Sequence, residues 1–253
     1  MSESRIWAAA LLVIGDEILS GRTQDKNIAQ VAAWLNEQGI RLAEVRVVPD
    51  VEDRIVTALN ALRGAYDYCF TTGGIGPTHD DITVDAVAKA FGVPVVVHPA
   101  ARAILEDYYK GRPGGLSEAR MRMARTPQGA ELIANEASRA PGVRMGNVFI
   151  LAGVPHIAAS MLEALSGSLE GGKPMRSLTI GARAPESDVA DLLRQTEADH
   201  PGCAIGSYPF FREGGYGSNF VIRSEDEGLA RQCGDVLAER LKAEGYEPVE
   251  GGI

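Results

Sequence analysis

Residues 69–83 read CFTTGGIGPTHDDIT and combine a short apolar run, three glycines within four residues, a proline and two adjacent aspartates. Glycine admits positive φ and lets a ligand approach the backbone closely. A helix is predicted over residues 82–91, and its free amide groups would point at the same place, where anions are favoured. The stretch therefore predicts an anion-binding loop between a buried strand and a helix.

The first half of the chain alternates apolar runs with amphipathic segments. Strands are predicted at 6–14, 42–48, 66–71 and 93–97, and helices at 23–38, after Asp50 and at 82–91. This alternation predicts an α/β domain with a mainly parallel sheet covered by helices on both faces.

After residue 98 the pattern changes to helices at 100–110 and 116–125, a hairpin at 143–151 and a helix from Pro155. GGKP at 171–174 is the best candidate for a linker. Beyond it we predict strand 176–181, helix 186–199, strand 203–207, a glycine-rich loop, strand 219–223 and helix 226–244. The βαββα order predicts a small α+β domain, so that the domains are residues 1–172 and 173–253.

Composition excludes several classes of protein. The 253 residues carry a formal net charge of −9, which argues against broad nucleic-acid binding because that binding rests on Lys and Arg. Three cysteines without a C-x-x-C motif favour free thiols in a reducing cytoplasm. The apolar run at 6–14 is too short to span a bilayer and lacks the features of a signal peptide, so we expect a cytoplasmic protein without a membrane segment.

The glycine loop differs from two common phosphate loops. No Lys-Ser or Lys-Thr pair follows the glycines, so it is not a P-loop. His79 stands where a dinucleotide fingerprint needs Gly or Ala. The loop instead brings Asp80 and Asp81 beside any bound phosphate, and a hard cation such as Mg²⁺ would relieve their repulsion. The alternative is that Asp81 is only the N-cap of the next helix.

Acidic residues follow the first two strands as well. GDEILSGRT at 15–23 places Asp16 and Glu17 after the first strand, and Asp50 closes the second. The carboxyl ends of parallel strands meet at one edge of the sheet, beside the topological switch point, so these acids should lie near the glycine loop. Asp50 also fits a helix N-cap. The residues that would place a cation are Asp16, Glu17, Asp80 and Asp81.

Four motifs resemble the MoaB/Mog molybdopterin-binding domain family: GDEILSG at 15–21, VVPD at 47–50, TTGGIGPTHDDIT at 71–83 and LAGVP at 151–155. The GPTxDD form is similar to the N-terminal branch of CinA, competence/damage-inducible protein A. GSYP at 206–209 and GSN at 217–219 resemble the molybdopterin-binding-like domain of eukaryotic FAD synthases.

This resemblance implies a three-layer α/β/α fold and a homo-oligomer, dimer or trimer. It places the catalytic aspartates at Asp50 and Asp81. The matched motifs place the phosphate- and ligand-binding residues at Gly15, Asp16, Glu17, Thr72, Gly73, Gly74, Gly76, Thr78, Gly153 and Pro155. Implied ligands are molybdopterin, FAD, ADP-ribose or ATP, with Mg²⁺, Mn²⁺ or Co²⁺ as cofactor and K⁺ as a further candidate.

Three functions are consistent with these residues. The first is metal-dependent cleavage of FAD or ADP-ribose that releases AMP, and the second is binding and adenylation of molybdopterin. Ile75 stands where the Mog-type loop usually has Thr, which weakens the second. The third is a nucleotide-binding module without catalysis.

Other residues have two interpretations each. His79 either contacts phosphate or binds a metal, or does neither, and Arg22 and Arg122 are either phosphate partners or surface charges. The aromatic side chains of residues 207–219 either stack on a flat ligand ring or pack as part of a hairpin.

Overall fold

The computed structural model describes residues 5–212 and 215–253. The chain divides into two compact units, Met1–Gly172 and Lys173–Ile253. Hydrophobic clusters form within each unit, as expected for domains that fold around cores of their own.

The N-terminal unit is built on a six-stranded sheet. The strands of this unit, two of which lie outside the six-stranded sheet, are β1 (Trp7–Ile14), β2 (Ile40–Val48), β3 (Tyr68–Thr72), β4 (Val95–Val97), β5 (Arg125–Pro127), β6 (Glu131–Ile133), β7 (Gly142–Met145) and β8 (Val148–Leu151). The sheet has the order β2-β1-β3-β8-β7-β6, with β4 and β5 in a separate pair. The first four strands of that order are parallel, and β7 and β6 continue it antiparallel. The predicted fold class is confirmed.

Helices cover both faces of this sheet. They are α1 (Asp16–Leu19), α2 (Asn27–Glu37), α3 (Glu52–Ala65), α4 (Thr83–Phe91), α5 (Pro99–Tyr109), α6 (Glu118–Met121) and α7 (Pro155–Ala164). Leu11 and Phe70 pack on one face with residues of α2 and α7. Leu12 and Cys69 pack on the other face with residues of α3 and α4. Strand β1 consists entirely of apolar residues, and all five residues of β3 are buried, including Thr71 and Thr72. Both strands lie inside the sheet, where helices cover each face.

Several predicted boundaries were wrong near the loops. Helix α2 begins at Asn27 rather than residue 23, because Asp25 accepts a hydrogen bond from the Ile28 amide at 2.7 Å and so satisfies a first-turn donor. The short helix α1 was not predicted. The helix predicted at 116–125 is only α6 and a 3₁₀ turn at Arg122–Ala124, after which β5 begins.

Strand β4 lies outside the main sheet, contrary to the prediction for residues 93–97. It pairs antiparallel with β5. A short apolar run does not specify its partner, because strand pairing depends on residues distant in the sequence. Here Ala101, Leu105 and Ala124 form a separate small cluster beside it.

The C-terminal unit contains β9 (Arg176–Ala182), α8 (Glu186–Asp199), β10 (Ala204–Arg212), β11 (Gly215–Ser224), α9 (Glu227–Ala243) and β12 (Val249–Glu250). Its sheet has the antiparallel order β10-β11-β9-β12. Most of the predicted glycine-rich loop is strand, and its remaining residues, 213–214, lie outside the described part. Gly217 serves close packing instead of a turn, because a Cβ there would lie 2.5 Å from the Ala182 carbonyl oxygen.

Among the described residues, no helix combines the length and the apolar character needed to cross a membrane.

Candidate functional site

The carboxyl ends of four parallel strands form one edge of the main sheet. The strand order β2-β1-β3-β8 places the topological switch point between β1 and β3, since the chain leaves β1 for one neighbour and returns to its other side. Open α/β sheets bind ligands at such a point. The loops after β1, β2, β3 and β8 carry the residues that the sequence singled out.

Glycine allows the backbones at this edge to approach one another. Gly73 has φ 101°, and a Cβ on it would lie 2.1 Å from the carbonyl oxygen of Ile14, the last residue of β1. A Cβ on Gly153, just after β8, would lie 3.2 Å from the Cα of Gly73. Three strand ends therefore meet with almost no side-chain volume between them.

The glycine loop is held against the start of α4. The Thr83 hydroxyl donates to the Gly73 carbonyl at 2.9 Å, and the Thr83 amide donates to the Gly74 carbonyl at 3.0 Å. A Cβ on Gly74 would lie 2.3 Å from the Thr83 hydroxyl oxygen. These contacts hold the loop against the first turn of α4.

Asp81 closes the same loop from within. Its carboxylate accepts hydrogen bonds from the amide and the hydroxyl of Thr78. It is not the N-cap of α4, because that helix begins at Thr83 with Ile82 as its N-cap and no capping side chain. The capping interpretation was wrong, and the carboxylate instead shapes the loop that carries Gly76.

Asp50 is a half-buried acid of the site, as is Asp81. The Asp50 carboxylate accepts a hydrogen bond from the Asp16 amide at 2.9 Å, which links the ends of β1 and β2. Desolvation raises the pKa of Asp50, and the negative charges of Asp16, Glu17 and Asp80 raise it further. The N-cap of α3 is Val51, so the capping interpretation of Asp50 was also wrong.

The acids of three loops thus act on one another. Asp16 and Glu17 are exposed in the first turn of α1, and Asp80 is exposed in the glycine loop. Within the described residues, no group of three or more His, Cys, Asp or Glu side chains is arranged to hold a metal ion. The cation-binding role of Asp16, Glu17, Asp80 and Asp81 stays a prediction.

The turn after β8 is held by two residues that sequence reasoning missed. The buried Asn27 donates its amide to the Gly153 carbonyl at 2.8 Å, and Gln30 donates to the Pro155 carbonyl at 3.0 Å. Gln30 also donates to the Asn27 side-chain oxygen at 3.0 Å. A polar residue at a helix start gives no sign of this distant contact.

Other candidates differ in their surroundings. Thr72 is buried, and its hydroxyl has no hydrogen-bond partner within the described chain. His79 and Arg22 are exposed, whereas Arg122 donates to the Asp81 carbonyl oxygen at 3.2 Å. The described residues of the aromatic stretch lie on β10 and β11, which pair antiparallel in the C-terminal unit, and Phe211 is 85% exposed.

The fold and the loops at this edge of the sheet agree with the protein family that sequence comparison identifies. The chain belongs to the family described as "Probable molybdopterin binding domain", whose profile matches residues 10–170. A second profile, "FAD synthase, middle domain", matches residues 174–250.

Individual relatives show which members of this family the chain resembles. A "CinA-like protein" of Citrifermentans bemidjiense is 37% identical over 92% of this chain and 58% of its own length. A protein of Aeropyrum pernix is 32% identical over 98% of this chain and 93% of its own. The crystal structure of the protein CinA from Thermoplasma acidophilum is 32% identical, with a TM-score of 0.60 over 64% of this chain and 98% of that one. The protein is a CinA-like member of the molybdopterin-binding-domain family.

Proposed function

We propose that the carboxyl edge of the main sheet binds a phosphorylated nucleotide and that the protein is a metal-dependent pyrophosphatase that releases AMP from FAD or ADP-ribose. The observation that carries the proposal is the convergence of Asp50 with the charges of Asp16, Glu17 and Asp80 beside the glycine loop. Folding acids together in this way is unfavourable unless a cation or a reaction uses them. The match to a FAD synthase domain supports a nucleotide of this class.

The glycine loop is suited to hold phosphate. Gly73 and Gly74 have positive φ, so side chains are absent where the chain turns from β3 toward α4. Exposed amide groups in such turns bind phosphate oxygens. Around this loop, the residues that we expect to contact the ligand are Gly15, Thr72, Gly76, Thr78, Gly153 and Pro155.

The carboxylates fit a hard divalent cation. Mg²⁺ takes oxygen ligands and is commonly held by one or two carboxylates together with substrate phosphates, so it needs no preassembled group of three acids. Asp16, Glu17, Asp80 and Asp81 would supply those oxygens for Mg²⁺, Mn²⁺ or Co²⁺, and K⁺ is a further candidate. When bound, the cation would offset phosphate charge and lower the pKa of a water molecule.

The residues of the chain would then position and deprotonate water. Asp50 is the proton acceptor in this proposal, because a carboxyl with a raised pKa accepts a proton more readily near neutral pH. The water oxygen bonds to one phosphorus as the bridging P–O bond breaks. The products are AMP and, according to substrate, flavin mononucleotide or ribose 5-phosphate.

The first test measures AMP release from FAD and from ADP-ribose across Mg²⁺, Mn²⁺ and Co²⁺. Asp50→Asn keeps an oxygen that accepts the Asp16 amide hydrogen bond but removes the charge. We expect metal-dependent release by the wild type and a loss of roughly 100-fold or more in kcat for this variant. Asp107→Asn removes an exposed charge on α5 and serves as the matched control. No release with any metal would refute hydrolysis.

Molybdopterin binding and adenylation is the second candidate, favoured by the family match over residues 10–170. ATP-dependent adenylation of the pterin, or pterin found by mass spectrometry of the purified protein, would support it. Tight nucleotide binding without turnover would instead support a binding module.

We also expect a dimer or trimer, as the family resemblance implies, and light scattering during size-exclusion chromatography measures this directly.

A further inference from the structure

Arg122 occupies a distinctive place beside the glycine loop. It lies in the 3₁₀ turn that follows α6, far from the loop in sequence. Its side chain lines a cavity of ≈ 10 Å³ together with residues 74–76, Asp81, Val84 and Arg125. A cavity of this size holds about one water molecule, or one oxygen atom of a larger ligand that enters from outside.

The guanidinium of Arg122 is only partly satisfied. One terminal nitrogen donates to the Asp81 carbonyl oxygen at 3.2 Å. The Nε atom is buried and has no hydrogen-bond partner among the described residues. Buried donors are nearly always paired in folded proteins, so the unpaired Nε–H of a residue that lines this cavity indicates a site for an acceptor.

Arg125 offers an internal comparison. It lines the same cavity, but its guanidinium donates to the Asp85 carboxylate, and the two form an ion pair. The charge of Arg125 is therefore already offset by an acid. Arg122 has a carbonyl oxygen as its described partner, so its positive charge remains available to an anion.

The negative charge of the site also favours a positively charged side chain such as Arg122 beside a bound phosphate. Asp16, Glu17, Asp50 and Asp80 crowd this edge with negative charge, which would repel a phosphate group. An arginine can bind a phosphate with two parallel N–H groups, which fixes orientation as well as affinity.

We propose that Arg122 binds a phosphate group of the ligand through Nε–H and a terminal N–H, and so forms a phosphate subsite with the glycine loop. The inference rests on the proposed function only for the presence of a phosphate at this loop, and it does not require hydrolysis. The ligand class it defines is one with at least one phosphate group. A neutral nucleoside lacks the group that this subsite recognises.

The test compares ligands with and without phosphate by isothermal titration calorimetry, using the intact chain. AMP and pyrophosphate are the phosphate-bearing probes, and adenosine is the probe without phosphate. For Arg122→Gln we expect the Kd of AMP to rise roughly 10- to 100-fold, the range of a lost charged hydrogen bond, with adenosine unchanged. Arg122→Lys keeps the charge but not the fork, so it should recover only part of the affinity.

Arg102→Gln is the control, because it removes the same charge from an exposed arginine of α5 that pairs with Glu106 and is not part of the cavity lining. It should change AMP binding less than threefold, and thermal unfolding shows whether each variant is folded. Equal losses for the two arginine variants, an equal effect on adenosine, or no binding of AMP or pyrophosphate to the wild type at millimolar concentration would each overturn the proposal. AMP binding that depends on Arg122 without any hydrolysis would leave the subsite standing and refute only the pyrophosphatase.

Discussion

Replacing Gly73 by alanine tests the close approach that defines the site. The new Cβ would lie 2.1 Å from the Ile14 carbonyl oxygen, a backbone atom that cannot rotate away. The residue would also keep φ near 101°, which an L-amino acid with a side chain rarely adopts. Both effects destabilise the junction between β1 and β3.

The magnitude follows from these two effects. A side chain in left-handed backbone costs about 1–2 kcal/mol. Overpacking against a rigid neighbour costs about 1–3 kcal/mol more. We therefore expect Gly73→Ala to lower the free energy of unfolding of the N-terminal unit by about 2–5 kcal/mol.

Gly92→Ala is the control. Gly92 also has positive φ, 68°, at the C-cap of α4, but a Cβ there meets nothing within 4 Å. The control should lose only the conformational part, about 1–2 kcal/mol. The difference between the two variants isolates the steric contact.

Urea unfolding followed by tryptophan fluorescence suits this comparison. The chain has two tryptophans, Trp7 and Trp34, and both lie in the N-terminal unit, so the signal reports that unit alone. If Gly73→Ala is no less stable than Gly92→Ala, the strand ends do not approach as closely as the argument requires.

Three further outcomes are expected. Asp50→Asn should be more stable than the wild type at neutral pH, because the raised pKa of Asp50 means that its ionised form disfavours the folded state. The gain in unfolding free energy should appear as the pH rises above 3.8, the ordinary pKa of an aspartate, and should vanish below it. A gain that is independent of pH in urea titrations would contradict this. Asn27→Ala should cost about 1–3 kcal/mol of unfolding free energy, since the Gly153 carbonyl loses its buried donor, and a cost under about 0.5 kcal/mol would argue against that bond. Burial raises the pKa of Cys69 and Cys233 to about 12, so both should react with a thiol reagent at mildly alkaline pH only after unfolding, and fast labelling of the folded chain would show otherwise.

Local patterns were enough to predict most of the architecture. The continuous apolar run of residues 6–14 predicted a strand buried on both faces, and residues 66–71 were also predicted as a strand. The corresponding strands β1 and β3 lie inside the parallel part of the sheet. Because the carboxyl ends of parallel strands meet at one edge of the sheet, the loops that follow them were predicted to place Asp16, Asp50 and Asp80 at that edge. Their mutual effect on the pKa of Asp50 agrees with that placement.

Predictions that depended on distant partners did less well. Asp50 and Asp81 looked like helix caps because each precedes a helix, yet their carboxylates accept bonds from Asp16 and from Thr78 instead. A cap is a local contact that sequence can suggest. The competing partners became available only when the loops were brought together.

The same limit applies to Asn27, whose bond to Gly153 spans 126 residues of sequence. It applies equally to β4, which pairs with β5 rather than with a strand of the main sheet. Neither contact has a periodicity that a local pattern could reveal.

The sequence by itself determined the alternation of strands and helices in the first half of the chain, the glycines at the tight turns and the acids at the strand ends. These follow from burial of apolar side chains and from backbone sterics, which act within a few residues. The tertiary structure alone decided the strand order, the contact of Gly73 with Ile14, the raised pKa of Asp50 and the unpaired Nε of Arg122. Charge, desolvation and steric contact act through space, so they depend on which distant segments the fold brings together.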